Sequence, residues 1–345
     1  MYKNFIALIV LFLFICSCQN INAGDQKNSL QPASEPGNPG KSSYRTPATI
    51  SDIINPSTHK PTGLLLKLDF EDEEVRPVKG KQSSHDILTI RTPGGQTKAL
   101  AIYYEAGNTV DRRARIEADP INKNNKVLHY WLKNARIPGQ RTGKYKGRIQ
   151  MNLGGIKKTS VFQRYRLFLH PDIKYYKQYP ARNAWFGTST MWMGARWRGH
   201  PYPFTISLNI AKPAGAGKPL YFTVSGSIAE GGKIRHGIWK PIWGHVGDNY
   251  DVPVGEWLDV EIGYKAGNKN TGRFYMGVKG EQDSKFTTIF DFSDWTYHPD
   301  SPEPVPLTDW QPLKLYSGQN IIDFIRKNGG VAQLYFDDLE LYDNW

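Results

Sequence analysis

Val254–Gly280, VGEWLDVEIGYKAGNKNTGRFYMGVKG, contains two short alternating runs, Trp257–Tyr264 and Arg273–Val278, on either side of Lys265–Gly272, KAGNKNTG. Gly and Asn in the intervening stretch supply the turn of a hairpin, so the two runs are expected to pair antiparallel. The same pattern recurs outward in both directions. Gly63–Phe70, GLLLKLDF, predicts an opening strand with Leu64, Leu66 and Leu68 on one face, and Gln333–Tyr342, QLYFDDLELY, alternates in the same way. Between them lie Lys126–Leu132, Gly147–Leu153, Val161–Leu169, Phe204–Ile210, Leu220–Ser225, Thr287–Phe292 and Leu313–Tyr316, each bounded by Gly, Pro, Asn or Asp. Helical periodicity is confined to Asn320–Lys327, enough for one or two turns before Gly329. The expected fold is an all-β antiparallel sandwich, a β-jelly roll.

The first residues give an address rather than a fold. Lys3 precedes an apolar run from Phe5 to Phe14, too short to span a membrane and suited to a signal peptide. Ile15-Cys16-Ser17-Cys18 then resembles the lipobox of bacterial lipoproteins, which implies acylation at Cys18 and an outer-membrane lipid anchor. With or without the anchor, the mature chain is expected outside the cytoplasm, at the cell surface, in the periplasm or secreted. Residues 1–18 are therefore read as the signal, 19–60, rich in Asn, Ser, Gly and Pro, as a flexible tether, and 61–345 as one folded domain.

Composition narrows the function classes. The only two cysteines lie in the signal, so disulfides and thiolate metal sites are excluded from the folded part. The formal charge is +12, and setting aside the five basic and three acidic residues of 1–60 leaves +10. A basic protein outside the cell suits a polyanionic partner, and there acidic polysaccharide is favoured over nucleic acid. No phosphate-binding Gly loop and no zinc-type His spacing is present. No cofactor is required, and the chain is expected to act as a monomer. Asp69, Glu71 and Asp338, with Asp337, would meet if the first and last strands pair; they then either form a structural Ca²⁺ site or remain separate solvated carboxylates.

Three regions carry candidate chemistry. Arg148, Gln150 and Asn152 alternate within Gly147–Leu153 and should share one strand face. Lys314 and Tyr316 likewise share a face. Trp185–His200, WFGTSTMWMGARWRGH, combines Trp192, Arg196, Trp197, Arg198 and His200, and Thr188, Thr190 and Trp192 would face one way. Its indoles suit sugar rings and its guanidinium groups suit carboxylate or sulfate, although Trp185 and at least one further Trp are expected in the core. Lys233–His245, KIRHGIWKPIWGH, is expected as a binding loop carrying Arg235, His236 and Trp239, besides Trp243 and His245.

Val254–Gly280 and Val331–Tyr342 are similar to back-sheet strands of concanavalin-like jelly-roll polysaccharide lyases, the family of alginate, glucuronan, heparin I and some ulvan lyases. The resemblance is distant and covers roughly residues 63–345. It implies a curved sheet whose concave face holds a chain of sugars beside an Arg, a Gln or His, and a Tyr. Gly147–Leu153 resembles the alginate-lyase strand with alternating Arg, Glu and Arg, except that Gln150 and Asn152 stand at the later positions. Leu313–Gln319 partly matches the late Tyr-Phe-Lys-Ala-Gly-x-Tyr-Asn-Gln signature, with Tyr316 two rather than four residues after Lys314. The family's Gln-x-His pair is absent, and His200 is the candidate to replace its His.

By this resemblance Arg148 and Gln150 would hold a uronate carboxylate, and Tyr316 would transfer a proton with Lys314 or a His assisting. The expected function is endo-acting β-elimination on an acidic, uronate-containing and optionally sulfated polysaccharide such as ulvan. The alternatives are a non-catalytic glycan-binding lipoprotein and a glycoside hydrolase. Hydrolysis would need paired carboxylates on a central strand, whereas Glu71–Glu74 and Asp291 with Asp294 lack that spacing.

Overall fold

The structure, a computed structural model, describes residues 61–78, 84–91, 97–105, 110–135, 146–181, 185–194, 202–229 and 239–345. Met1–Ile53 and Ile54–Trp345 separate as two units, and all described residues belong to the second. Their strands are, in order, β1 (Thr62–Leu68), β2 (Glu74–Arg76), β3 (His85–Arg91), β4 (Thr97–Tyr104), β5 (Arg112–Ala118), β6 (Lys126–Leu132), β7 (Lys146–Lys158), β8 (Ser160–Leu169) and β9 (Trp185–Met193). There follow β10 (Phe204–Ala211), β11 (Tyr221–Ala229), β12 (Trp239–Gly247), β13 (Trp257–Lys265), β14 (Arg273–Gly280), β15 (Thr287–Ser293), β16 (Leu307–Gln311), β17 (Lys314–Gly318) and β18 (Ala332–Asn344). Two short helices, α1 (Lys174–Lys177) and α2 (Gln319–Lys327), complete the fold, and no helix among the described residues is long and apolar enough to cross a membrane.

All pairings are antiparallel and fall into two sheets. One has eight strands, ordered β15-β14-β13-β8-β18-β6-β5 with β1 on β18; the other has ten, ordered β12-β11-β10-β9-β16-β7-β4-β3-β2 with β17 between β7 and β9. This is the expected jelly-roll sandwich. Alternation builds the core: Ile149, Met151, Ile206, Leu208 and Leu315 from the larger sheet meet Tyr165, Leu167, Val260, Ile262 and Met276 from the smaller. Polar links also cross this interior, among them one at Tyr104. The buried hydroxyl of Tyr104 donates to Asp86 at 2.6 Å and accepts the Ala114 N–H of the opposite sheet at 3.0 Å, so each of these buried polar groups is matched.

The strand expectations need four corrections. Leu64 is 42% exposed, because a register irregularity between Leu64 and Leu66 turns it away from the face shared by Leu66 and Leu68. Trp239–His245, expected within a loop, belongs to β12, the edge strand, where Pro241 lacks no ladder donor that matters. Strands β2 to β5 and β16 also form where no strand was assigned. Finally, the helix runs a full nine residues, burying Ile321, Ile322 and Ile325.

On the outer face of the eight-stranded sheet, charges alternate across strands. Lys67 pairs with Glu340 (3.1 Å), and Arg164, opposite both Glu340 and Glu261, pairs with Glu261 (2.8 Å). A second row joins Lys279 to Asp259 (3.0 Å) and places Arg166 between Asp259 (3.7 Å) and Asp337 (3.8 Å). Each exposed pair adds little to stability, but the rows cancel charge over this face.

β1 and β18 do pair, with Leu68 opposite Leu339, and two of the carboxylates near that pairing accept backbone N–H groups. Glu71 accepts the Lys126 N–H (2.9 Å) and Asp69 the Glu71 N–H (3.3 Å). Among the described residues no group of three or more His, Cys, Asp or Glu side chains is placed to hold a metal ion. Asp337 is instead held by Asn125 Nδ2 (2.8 Å) and the Asp338 N–H (2.8 Å). Burial is the largest influence on it and raises its pKa to about 6.

Because the folded value lies above the unfolded one, the native state binds the extra proton, and stability falls as pH rises from about 4 to about 6. Asp337→Asn should therefore raise the melting temperature by about 2–4 °C at pH 7.5, for a gain of about 1 kcal/mol. The gain should vanish near pH 4; thermal melts across that range check it, and an equal or larger gain at pH 4 would contradict the assignment.

Candidate functional site

Period-2 geometry turns Arg148, Gln150 and Asn152 to the open face of the ten-stranded sheet while Ile149, Met151 and Leu153 enter the core. β17 lies against the same stretch, pairing Lys314 with Gln150 and Tyr316 with Arg148, and on its other side Tyr316 meets Gly187 of β9. One rung thus reads Tyr103, Gln150, Lys314, and the next Arg148, Tyr316, Gly187, Asn209. The groups expected on two separate strands share one site.

Tyr316 is ringed by positive charge. Arg148, Lys314 and Lys146 stand 5.2, 5.0 and 5.9 Å from its ring centroid, and Trp185 contacts it edge-on at 4.9 Å. Arg148 also lies over Tyr103 (5.1 Å) and is held by Glu105 (2.7 Å). Lys314, only 3% exposed, donates to Thr190 Oγ1 at 2.7 Å. The Gln150 amide nitrogen donates to Asn152 Oδ1 (2.7 Å), which leaves Gln150 Oε1 buried with no hydrogen-bond partner, as is Arg148 Nε. Unmatched buried polar atoms are costly, and here both belong to residues of one site.

Gly187 keeps space open beside the phenol. A Cβ there would lie 3.4 Å from both Asn209 Oδ1 and Tyr316 Cβ, so its absence leaves a gap between these two side chains. Further along, Trp192 donates through Nε1 to Gln311 Oε1 (2.8 Å) and meets Trp239 edge-on at 5.4 Å. The face therefore runs from a cationic tyrosine pocket to a paired-indole wall.

One local expectation changes and one is refined. A register shift places Leu208 opposite Ser189 but Asn209 opposite Gly187, so Thr188 is the extra residue of a bulge, is buried and bonds to the Leu208 carbonyl (3.4 Å). Trp185, expected in the core, stands on the open face against Tyr316. Trp243 and His245 point the other way. Trp243 packs over Gly226 and donates to the Trp295 carbonyl (2.7 Å); His245 lies 3.9 Å from the Phe292 ring, where burial lowers its pKa.

Arg196, Trp197, Arg198, His200, Arg235, His236 and Cys18 lie outside the described residues. Tyr103, Glu105, Asn209 and Gln311 were not anticipated from the sequence. The alternation of Thr97–Tyr104, with Leu100, Ile102 and Tyr104 on one side, would have put Tyr103 on the other.

No protein-family model and no curated protein matches the chain. Among solved structures it is similar to an endo-β-1,4-glucuronan lyase from the fungus Trichoderma reesei, at 13% identity over 70% of this chain and 90% of that one, TM-score 0.42. It is similar also to a marine alginate lyase from Aplysia kurodai, at 9% identity over 66% of this chain and 87% of that one, TM-score 0.38. A third is an exolytic alginate lyase from Zobellia galactanivorans, at 10% identity over 80% of this chain and 96% of that one, TM-score 0.37.

A buried charge kept for function rather than stability leaves a signature: replacing it with an apolar isostere costs nothing in folding. Lys314→Met should leave the melting temperature unchanged or raise it by about 2–4 °C. A fall of more than about 5 °C in a thermal melt would identify Lys314 as a structural strut instead.

Proposed function

We propose that the chain is an endo-acting lyase of acidic, uronate-containing polysaccharide such as ulvan, glucuronan or alginate, working outside the cytoplasm from a lipid anchor at Cys18. The observation that carries this reading is the set of three cations around the Tyr316 ring, beside the rung of Gln150 and Lys314.

β-Elimination requires the uronate carboxylate to be neutralised, so that the C5 proton becomes acidic, and a group that carries that proton. Arg148, Gln150 and Lys314 offer donors to the carboxylate and stabilise the charge that develops as C5 loses its proton. Tyr316 is the proton carrier. In its phenolate form it takes the C5 proton; as the C4–C5 double bond forms and the C4–O bond breaks, the resulting phenol returns a proton to the departing oxygen. The phenolate is restored, and the chain is cut into one unsaturated and one saturated end. Asn209, Asn152 and the Trp192–Trp239 wall would orient neighbouring sugars.

Hydrolysis is a poorer fit to the same face. Its described carboxylates are Glu74 at the sheet edge, Glu105 at Arg148 and Asp309 opposite Gly154. Six residues of β7 separate the levels of Glu105 and Asp309, about 20 Å at the usual strand rise, whereas glycosidase carboxylates stand about 5–9.5 Å apart.

Incubating the purified chain with uronate polysaccharides and following ultraviolet absorbance of the unsaturated product tests the reaction. Tyr316→Phe should lower the rate by about 10²–10⁴-fold while leaving retardation in polysaccharide gels unchanged. Retardation without product from any polymer would point to a glycan-binding protein, and saturated products to a hydrolase.

A further inference from the structure

The hairpin end of the eight-stranded sheet carries groups that the open face does not use. Register sets Lys265, Arg273 and Ser293 side by side on β13, β14 and β15, with Gly263, Tyr275 and Asp291 as the next rung. Trp345 lies down on that rung. A Cβ on Gly263 would meet its indole atoms at 2.4, 2.6 and 2.7 Å, so a side chain at 263 would lift the ring off the strand.

The indole is fixed from the sides as well. Tyr275 stacks beside it at 5.8 Å and 24°, and the Arg273 guanidinium stands 4.9 Å from its centroid. Asp291 holds Arg273 through both nitrogens at 2.8 Å, which uses up that charge. The turn beyond is equally ordered: Asn268 Oδ1 accepts from the Asn270 N–H (2.9 Å) and Thr271 Oγ1 (3.2 Å), and Thr271 Oγ1 accepts the Asn268 N–H (3.1 Å).

A cleft of about 330 Å³ opens here, lined by Lys265, Asn270, Thr271, Arg273, Ser293 and Trp345. Lys265 is exposed, and neither it nor Lys269 of the same turn forms an ion pair with a described residue. A preset, half-buried indole wall, an uncompensated ammonium and short hydroxyl and amide side chains are complementary to an anionic sugar ring: its C–H face to the indole, its carboxylate or sulfate to Lys265, its hydroxyls to Asn270, Thr271 and Ser293. A small inorganic anion would leave the indole unused.

We propose that this cleft is a second glycan site, which takes an anionic sugar residue of an acidic polysaccharide on the sheet opposite Tyr316. It rests on the proposed substrate class but not on the elimination step. By holding the polymer at a second point it raises the effective concentration of substrate at the open face.

The full-length chain with Tyr316→Phe, run in gels containing alginate, glucuronan or ulvan, isolates binding from cleavage. Adding Trp345→Ala or Lys265→Glu should weaken retardation about threefold or more in the gels that retard the parent. In the active chain the same changes should slow cleavage of long polymers but leave cleavage of a tetrasaccharide within about twofold. Wild-type retardation in both variants, each with an unchanged melting curve, overturns the proposal, as does a parent that none of the three polymers retards. If Trp345→Ala melts early, Lys265→Glu decides, since its side chain is exposed. Loss of retardation in a chain that yields no unsaturated product would sink the elimination reading and leave this site standing.

Discussion

The site depends on one interrupted strand. β16 and β17 lie end to end between β7 and β9, broken at Pro312, and neither Lys314 nor Tyr316 would meet β7 without that insertion. The break is matched on the neighbour. Trp310 and Leu313 both face the core, so the alternation slips at Pro312, and Phe186 and Ser189 both face the core, so it slips at Thr188. The two slips sit side by side, since Gln311 is opposite Thr190 and Tyr316 opposite Gly187. One irregularity alone would throw a strand's polar set into the core. Two in adjacent strands restore Gln311, Lys314 and Tyr316 to the same face as Thr190 and Gly187.

Hydrogen bonds hold this double slip. Ser189 Oγ donates to the Gln311 carbonyl (3.1 Å) and accepts from Trp310 Nε1 (3.1 Å), while Gln163 of the opposite sheet reaches the Pro312 carbonyl (3.4 Å). The Leu313 carbonyl, just past the break, still accepts the Met151 N–H (3.0 Å). Polar groups exposed by the break are thus satisfied inside the sandwich, as burial requires. The device places Tyr316 on a rigid element rather than a loop, which is what the proton transfer proposed for it would demand.

The sequence shows each strand face but not which faces meet. Arg148, Gln150 and Asn152 alternate visibly, and so do Lys314 and Tyr316, because a period of two is local. Their pairing joins residues more than 150 positions apart, and register at that range is decided by packing of the whole core. The same limit explains Trp185: it was assigned inward because large apolar residues usually are, and only the bulge at Thr188 turns it toward Tyr316. Pro241 and Gly244 disguised β12 as a loop, since both are unfavourable in a central strand and tolerable at an edge. Glu105 and Asn209 carry no local signal, being single polar residues whose meaning comes from Arg148 and Gly187 across the sheet.

Charge gives the two outer faces different characters. Over the middle of the eight-stranded sheet the rows Lys67–Glu340–Arg164–Glu261 and Lys279–Asp259–Arg166–Asp337 cancel sign strand by strand, so a polyanion gains little there. The balance breaks around Tyr316, where Lys146, Arg148 and Lys314 stand with Glu105, and at the hairpin end, where Lys265 lines the cleft beside the fixed indole of Trp345. Both places also carry aromatic rings, Trp185 and Tyr316 at the first and Trp345 at the second. A surplus of positive charge alone would attract any polyanion without orienting it; coupled to indoles seated on glycines or paired edge to face, it would suit the proposed polymer, whose rings offer C–H faces and whose charges recur along the chain.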